Sequence, residues 1–362
     1  MAESVTAKEV ALRAEVSVGT VSRVFNNYSN VSHEIRQRVL RVATDLGYQG
    51  PHRQSANTQS STRLLKIMGF LYACHIDEGP ATTDPYWDPI FHGVERECRR
   101  SNVQFVYRTV TDIRHNPQRL TELMYEMRLD GALLVGQFDS EAIRAIQASG
   151  TPVVQVDNYI PDLANSIDTI LADNFQGARL AIDYLIGQGH RHIAFIAGPN
   201  GTETPPVYIH ATQQRWVSYC MAFIERNWPI DHSLIEKSNL TMEGGYRACL
   251  RLLECGADFT ALFCVDDITA IGAMKALREA GRDVPGDISV IGFDGIELGE
   301  LITPALTTIR VNAPDLGAIA FKTLVSRVTN PSLPCVTVQL GVQLVQRASV
   351  AAISSSRPPR GL

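Results

Sequence analysis

The chain has 362 residues, of which 45% are hydrophobic and 20% are charged. At roughly 100–200 residues per domain, this length predicts two or three compact units, and the composition excludes wholesale disorder or a collagen-like repeat. No apolar run reaches the roughly 18–20 residues that a membrane helix needs, and the N-terminus has no apolar stretch typical of a secretory signal. The seven cysteines, none in CxxC spacing, argue against a disulfide framework or a zinc site. We therefore expect a cytoplasmic protein without a membrane partner.

The net charge of −5 is unevenly distributed along the chain. Residues 1–63 carry eight Lys and Arg against five Asp and Glu, so a weakly basic head precedes an acidic body. A basic head is typical of a segment that meets a polyanion such as nucleic acid, although a chance fluctuation produces the same balance. Charge alone leaves both interpretations open.

Three short helices with clear capping residues are predicted in the head. Thr6 begins a Thr-x-x-Glu capping box, which predicts a first helix from about Ala7 to Ala14. Ser17 caps a second helix, and Ser32 caps a third whose apolar residues fall on one face. Gly47 ends the third helix, because glycine tolerates the left-handed conformation of a C-terminal cap.

The first two helices are separated by a turn of three or four residues, which is the pattern of a helix-turn-helix. The second helix of such a pair normally lies in the major groove of DNA, with its N-terminal residues against base edges. Here it begins Ser17-Val18-Gly19-Thr20-Val21-Ser22-Arg23. Its hydroxyl groups suit phosphate contacts, and its arginine can reach a guanine. A small three-helix bundle that binds another protein is the alternative.

The run VTAKEVALRAEVSVGTVSRVFNNYSNVSHEIRQRVLRVATDLGY closely resembles the DNA-binding headpiece of the LacI/GalR family of transcription regulators. The resemblance implies a homodimer that sets two headpieces on a near-palindromic operator in double-stranded DNA. It places Val18, Gly19 and Arg23 at base-reading positions. Contacts with the DNA backbone are implied for Thr6, Ser17, Thr20, Ser22, Asn26 and Ser32.

Two features of the headpiece depart from the family pattern. Glu15 stands in the turn where glycine is usual, so strain of up to ~1 kcal/mol is expected there if φ is positive. Val18 and Gly19 offer few or no hydrogen bonds to bases. Sequence preference is therefore expected to depend on Arg23 and on DNA shape.

A polar segment, QGPHRQSANTQSSTR at residues 49–63, has the composition of a linker. In the family this segment folds into a hinge helix on DNA and inserts a leucine into the minor groove, but no leucine occurs here before Leu64. Arg53 in a narrow minor groove is one substitute for that wedge, and a flexible tether is the other interpretation. We divide this part of the chain into a headpiece at 1–50 and a hinge at 51–63.

From Lys66 onward, strand-like runs alternate with amphipathic helices, which indicates βαβ units and parallel sheets. The predicted fold class is α/β, with two doubly wound parallel-sheet subdomains behind the helix-turn-helix headpiece. The second series of strands is predicted to begin at TILADN. The resemblance extends through this body and implies a periplasmic-binding-protein-like effector-binding and dimerisation domain at 64–353. Its subdomains are predicted at about 64–162 with 310–330 and at about 163–309 with 331–353, and the tail 354–362 is predicted to be disordered.

The carboxyl ends of strands in such sheets bind ligands. Three predicted strands end in the carboxylates of Asp157, Asp266 and Asp294, and Arg215 opens a helix after a long loop. Carboxylates accept hydrogen bonds and arginine donates several, which suits the hydroxyls of a sugar or polyol. The resemblance places Arg215, Asp266 and Asp294 at effector-contacting positions. Asp266 replaces the commoner Asn, which disfavours an anionic effector, and a helix cap is the alternative for any one of these aspartates.

Aromatic residues add to the predicted effector site. Tyr86 and Trp87 precede the first body helix, where the family often places rings that stack on the effector, and an aromatic ring suits the C–H face of a sugar. Tyr246 opens a later helix and is a further candidate. Core packing is the alternative for each ring. Two long loops, at 74–84 and 200–212, favour a larger effector such as an oligosaccharide.

The sequence contains neither a P-loop, nor a G-x-S-x-G motif, nor a dinucleotide-binding fingerprint. We therefore expect no catalytic residues, no cofactor and no metal. The predicted function is a sequence-specific DNA-binding transcription regulator, most often a repressor in such families, that a small carbohydrate controls allosterically. A purine or nucleoside effector is the nearest alternative. An enzyme or a solute-binding protein built on the α/β body is a more distant one.

Overall fold

The structure is a computed structural model, and it describes residues 5–25, 31–48, 64–74, 84–199, 208–256 and 258–353. The predictions for Asn26, Arg53, the hinge and the tail lie outside these described residues. By its contacts the chain divides into two compact units. The first unit comprises Met1–Ile170 with Pro314–Val338, and the second comprises Leu171–Ala313 with Gln339–Leu362.

The head consists of the three predicted helices, α1 (Ala7–Arg13), α2 (Val18–Phe25) and α3 (His33–Leu46). The capping box is confirmed, because Thr6 Oγ1 accepts from the backbone of Glu9 while the Glu9 carboxylate accepts from the Thr6 N–H at 2.6 Å. Glu15 adopts a φ of 54°, so the turn carries the left-handed conformation for which glycine is usual. Apolar side chains of all three helices form one buried cluster, which includes Val10, Ala11, Ala14, Val21, Val24, Val39, Leu40 and Ala43.

The first unit is built around a six-stranded sheet in the order β11-β5-β4-β3-β1-β2. The strands at Ile67–Ala73 and Gly131–Gly136 are continuous apolar runs, as is typical of strands buried on both faces. The strands are β1 (Ile67–Ala73), β2 (Gln104–Thr109), β3 (Gly131–Gly136), β4 (Val153–Val156), β5 (Asp168–Ala172) and β11 (Thr337–Leu340). The helices of this unit are α4 (Trp87–Arg100), α5 (Pro117–Met127), α6 (Ser140–Ala148) and α12 (Ala313–Thr329).

The placement of TILADN in the second series of strands is wrong. This run forms β5, which pairs in parallel with β4 in the first sheet, with Asp168 opposite Val154. The connection between β4 and β5 contains only a short 3₁₀ turn at Pro161–Leu163. The side chain of Arg327 in α12 also anchors β5, since its Nε and Nη2 donate to the Asp168 carboxylate at 2.7 and 2.9 Å.

A second six-stranded sheet, in the order β12-β10-β9-β8-β6-β7, forms the second unit. The strands of this sheet pair in parallel, except that β12 runs antiparallel to β10. The strands are β6 (Ile193–Ala197), β7 (Ile235–Lys237), β8 (Ala261–Cys264), β9 (Ser289–Asp294), β10 (Thr307–Arg310) and β12 (Gln343–Val345). The helices are α7 (Asn174–Gly187), α8 (His210–Ile224), α9 (Met242–Glu254), α10 (Asp267–Glu279) and α11 (Leu298–Leu301).

Candidate functional site

The three predicted base-reading residues lie on the outer face of α2. Val18, Gly19 and Arg23 are exposed, whereas the valines on the opposite face are buried against α1 and α3. A Cβ placed at Gly19 would find only Ser17 Oγ within 4 Å, at 3.7 Å. The surface is therefore open to close approach by another molecule, as a recognition helix requires.

Three of the predicted backbone-contacting hydroxyls, those of Thr6, Ser17 and Ser32, cap the three helices of the head. Ser17 Oγ accepts from the Thr20 N–H at 3.0 Å, and Ser32 Oγ accepts from the Ile35 N–H at 3.4 Å. The hydroxyl of Thr20 lies 2.9 Å from Ser17 Oγ, while Ser22 is half-buried. These caps have a structural role whether or not DNA is bound. They also hold the helix N-termini, whose N–H groups favour phosphate, at the surface of the head.

In the second unit, the structure brings two predicted effector residues into contact. Arg215, only 4% exposed, donates from Nη2 to Asp294 Oδ1 at 3.1 Å. Its Nε donates to Asn174 Oδ1 at 3.0 Å, and its Nη1 donates to the Val265 carbonyl at 2.6 Å. The guanidinium carbon lies 3.6 Å from the centre of the Phe293 ring, a cation–π contact. The guanidinium is thus fixed by four contacts.

Asp266, the residue that follows Val265 in the chain, caps α10. Its Oδ1 accepts from the Thr269 N–H at 2.7 Å at the start of α10, and the residue is 9% exposed. The helix-cap alternative therefore describes one of its contacts. The residue before it, Val265, accepts a hydrogen bond from Arg215, so Asp266 is the chain neighbour of a residue that holds the arginine. Its predicted effector contact stays a prediction.

The sequence pattern did not single out Asp267, the second residue of the Asp-Asp pair after β8. This carboxylate is fully buried, and its Oδ2 accepts from the Gly295 and Ile296 N–H groups at 2.8 and 2.9 Å. Its Oδ1 accepts from the Thr308 hydroxyl at 2.6 Å. Burial raises the pKa of Asp267 to about 7 despite these donors. Two consecutive carboxylates at a strand end were the available signal, but nothing local shows which one turns inward.

Replacing Asp267 by Asn is expected to change how stability depends on pH. The folded state, with a pKa of about 7, holds a proton that the unfolded chain, near 3.8, has released, so the group's contribution to stability falls as pH rises between these values. Asp267→Asn has no such proton. Between about pH 4 and 7, the free energy of unfolding of the wild type should fall by on the order of a few kcal/mol relative to that of the variant. Above about pH 8 the difference should change no further. Denaturant unfolding at several pH values measures this difference; a constant difference would contradict it.

In the first unit, the predicted aromatic residues lie together at the start of α4. Asp84 Oδ1 accepts from the N–H groups of Tyr86 and Trp87 at 2.8 and 3.1 Å. The ring centre of Trp87 lies 4.9 Å from that of Tyr86 and 5.7 Å from that of Tyr72. Burial raises the pKa of Asp84. Tyr86 and Trp87 are half-buried, so packing accounts for part of each ring.

Asp157 lies at the end of β4, in the first unit. It has a φ of 55°, and its N–H donates to the Ile170 carbonyl at 2.8 Å. Both strand-end aspartates with positive φ, Asp157 and Asp294, carry backbone conformations that non-glycine residues rarely adopt. Such conformations are frequent at ligand sites, which keeps Asp157 among the candidates.

The surroundings of Tyr246 contradict its assignment to the effector site. Its hydroxyl donates to Glu279 at 2.7 Å, and Lys275 Nζ lies 5.2 Å from its ring centre. Glu279 is the last residue of α10, whereas Asp266 caps its first turn. At 1.5 Å per residue these ends are roughly 20 Å apart. The position of Tyr246 near a helix start was correct, but its side chain packs along the outer face of α10.

Family models match both parts of the chain. The model of bacterial regulatory proteins of the lacI family matches residues 6–50, and a periplasmic binding protein-like domain matches residues 182–350. Within the described residues, no group of His, Cys, Asp and Glu is suited to hold a metal ion, and no helix is long and apolar enough to cross a membrane. Fold and site together define a helix-turn-helix transcription regulator with a periplasmic-binding-protein-like body.

Known relatives extend over almost the whole chain. The ribose operon repressor of Haemophilus influenzae is 32% identical over 96% of this chain and 99% of its own length. The repressor PurR of Mannheimia succiniciproducens is 29% identical over 96% of this chain and 99% of its own length. The solved complex of the transcriptional regulator CelR with cellobiose has 26% identity and a TM-score of 0.71, covering 95% of this chain and 99% of that one. The chain belongs to the lacI family; it is a DNA-binding transcriptional repressor and not an enzyme.

Proposed function

We propose that this repressor binds a near-palindromic operator as a homodimer, and that a small saccharide at Arg215 and Asp294 changes its affinity for that operator. The observation that carries the effector proposal is the buried pair of Arg215 and Asp294 beside the Phe293 ring. A guanidinium that donates and a carboxylate that accepts match the paired hydroxyls of a sugar. Effector contacts of Asp157, Asp266, Tyr86 and Trp87 remain part of the proposal.

The charge at these residues favours a neutral effector. Arg215 is already paired with Asp294, and Asp266 follows directly after the carbonyl that binds Arg215. Among Arg215, Asp294 and Asp266, the one cation is already shared with a carboxylate. The negative charge of a phosphate would therefore be repelled by the two carboxylates, and such repulsion is strong in a buried site. Two of the relatives are consistent with a neutral sugar: one is a repressor of a ribose operon, and the other, CelR, was solved in complex with cellobiose.

A purine or nucleoside is the second candidate effector. The aromatic pair Tyr86 and Trp87 offers ring surface for stacking on a nucleobase, and carboxylates accept from nucleobase N–H groups as they do from sugar hydroxyls. The two candidates differ in what they require of Arg215. A neutral purine presents fewer acceptors to a guanidinium than a polyol does.

Thermal unfolding in the presence of monosaccharides, disaccharides, sugar phosphates and nucleobases tests the effector proposal. A ligand that binds only the folded protein raises its stability by about 2.7 kcal/mol at a concentration of 100 Kd. We expect stabilisation by a neutral saccharide and none by its phosphate. Stabilisation by a purine alone would replace the saccharide proposal, while leaving the repressor assignment unchanged.

The proposed homodimer surface lies on the second unit, around α9, α10 and α11. A cavity of about 620 Å³ opens there between Met242, Ile271, Met274, Ile302 and neighbouring residues. Leu301 beside it is 72% exposed. Clustered exposed apolar surface of this kind marks interaction sites. Its rim carries both signs of charge, with Lys275, Arg278, Arg282 and Asp283, which suits pairing with an identical surface across a two-fold axis.

Leu301→Asp is expected to weaken the homodimer by at least about tenfold, because a charge would be buried against the partner's apolar surface. Since Leu301 is largely exposed within the chain, the fold should be unaffected. Sedimentation equilibrium measures the dimer dissociation constant. Leu12→Asp, at an 80% exposed position of the head, is the matched control and should leave the dimer intact. Equal dimer affinities of Leu301→Asp and wild type would place the interface elsewhere.

A further inference from the structure

Besides Asn174 on α7, two strand ends of the second unit hold Arg215. One is the end of β8, whose Val265 carbonyl accepts from Nη1. The other is the end of β9, whose Asp294 carboxylate accepts from Nη2. The orientation of the guanidinium therefore depends on the spacing of these two strand ends.

The strand end at Asp294 needs outside support. Asp294 has a φ of 105° and Gly295 a φ of 76°, so two successive residues depart from ordinary backbone conformations. A non-glycine residue such as Asp294 is strained in this conformation. The conformation persists only where surrounding contacts hold it. The backbone bond from the Val311 N–H to the Asp294 carbonyl, at 3.0 Å, holds one side of this turn.

Asp267 supplies the remaining support. Its Oδ2 accepts from the two N–H groups that follow Asp294, those of Gly295 and Ile296. The residue itself begins α10, two positions after Val265. The Thr308 hydroxyl on β10 fixes the other carboxylate oxygen. One buried carboxylate thus ties the end of β8 to the turn after β9.

Close packing leaves this carboxylate one position. A Cβ at Gly292 on β9 would lie 2.2 Å from Asp267 Oδ1, so only glycine allows the carboxylate to approach the strand. All the donors to the Asp267 carboxylate come from β10 and from the turn after β9. Asp267 is therefore a buried residue with fixed hydrogen-bond partners and not part of an exposed ion pair.

We infer that Asp267 is a positioning residue: it sets the geometry of the Arg215–Asp294 pair by joining the two strand ends that hold the arginine. The inference deepens the proposed function, because that pair is the site assigned to the effector. Asp267 need not touch the effector. Its role is expected to be visible in the ligand-free protein, in how firmly the Arg215 side chain is held.

The test is the solvent exchange of the Arg215 Nε–H, measured by NMR on the full chain labelled with ¹⁵N-arginine. Its signal is assigned by its loss in Arg215→Lys. In wild type the Nε–H donates to Asn174 and is buried, so exchange should be slow. Asp267→Ala should accelerate exchange by roughly tenfold or more, because the Nε–H bond to Asn174 weakens once the two strand ends that hold the guanidinium lose the support of Asp267. Asp267→Asn, which keeps an acceptor for both backbone N–H groups, should restore slow exchange.

A second pair of variants separates positioning from general loss of stability. Thr308→Val removes the hydroxyl that fixes Asp267, and Thr260→Val removes the hydroxyl that lies 3.0 Å from His190 Nδ1 elsewhere in the same unit. We expect faster Arg215 exchange in Thr308→Val and not in Thr260→Val. Unchanged exchange in Asp267→Ala, or equal acceleration in both threonine variants, would overturn the inference. Because no ligand is present, the result is independent of whether a saccharide is the effector.

Discussion

Arg215→Ala is expected to lower the affinity for the saccharide effector by roughly a hundredfold or more. Each hydrogen bond to a charged group contributes about 1.5–3 kcal/mol, and the substitution removes the donors at this position. It also leaves the largely buried Asp294 carboxylate without its cation. Isothermal titration calorimetry with the saccharide identified by thermal unfolding measures the change in Kd.

Two further variants make this prediction specific. Arg251→Ala removes an arginine that pairs with Glu236 near the surface of the same unit, and it should bind the saccharide as wild type does. Arg215→Lys keeps the charge but loses the planar donor fork, so it should recover only part of the affinity. Circular dichroism confirms that each variant is folded. Near-wild-type affinity in a folded Arg215→Ala would remove Arg215 from the effector site.

Arg23→Ala is expected to weaken binding to the operator by about a hundredfold. A bidentate contact of arginine with guanine contributes roughly 1–3 kcal/mol, and a homodimer loses two such contacts. Arg23 is exposed on the outer face of α2, so its removal should leave the core of the head intact. An operator obtained by selection from random duplexes, and fluorescence anisotropy at fixed salt, provide the measurement.

The same variant on unrelated duplex DNA distinguishes base reading from phosphate contact. A base-reading arginine matters only on the selected sequence, so the affinity of Arg23→Ala for unrelated DNA should stay within a few-fold of wild type. A phosphate-contacting arginine would instead weaken both complexes to a similar extent. Equal losses on the two duplexes would therefore contradict the base-reading role.

Local signals in the sequence predicted the head well. The cap at Thr6 and the turn at Glu15 depend on residues only a few positions apart, and both appear in the structure as expected. The strand-end rule for parallel sheets singled out Asp294, and the family resemblance singled out Arg215, but neither predicted that the two side chains pair. The hydrogen bonds of Arg215 to Asn174 and Val265 were not predicted either.

Features that depend on long-range packing escaped sequence reasoning. Alternation of strands and helices does not tell which sheet a strand joins, and β5 joined the first sheet through β4. The position of a residue near the start of a helix does not fix the direction of its side chain. The hydroxyl of Tyr246 donates to Glu279 and not to a group at the effector site. The role of Asp267 depends on Thr308, a residue 41 positions away that the sheet brings to it.

Effector binding is expected to change the affinity of the repressor for its operator. The most direct measurement is the Kd of the full-length repressor for its selected operator, with and without a saturating concentration of the saccharide. We predict a change of at least about fivefold, a coupling of roughly 1 kcal/mol, which disappears in Arg215→Ala. An operator affinity that is the same with and without the bound saccharide would contradict control of this repressor by a saccharide.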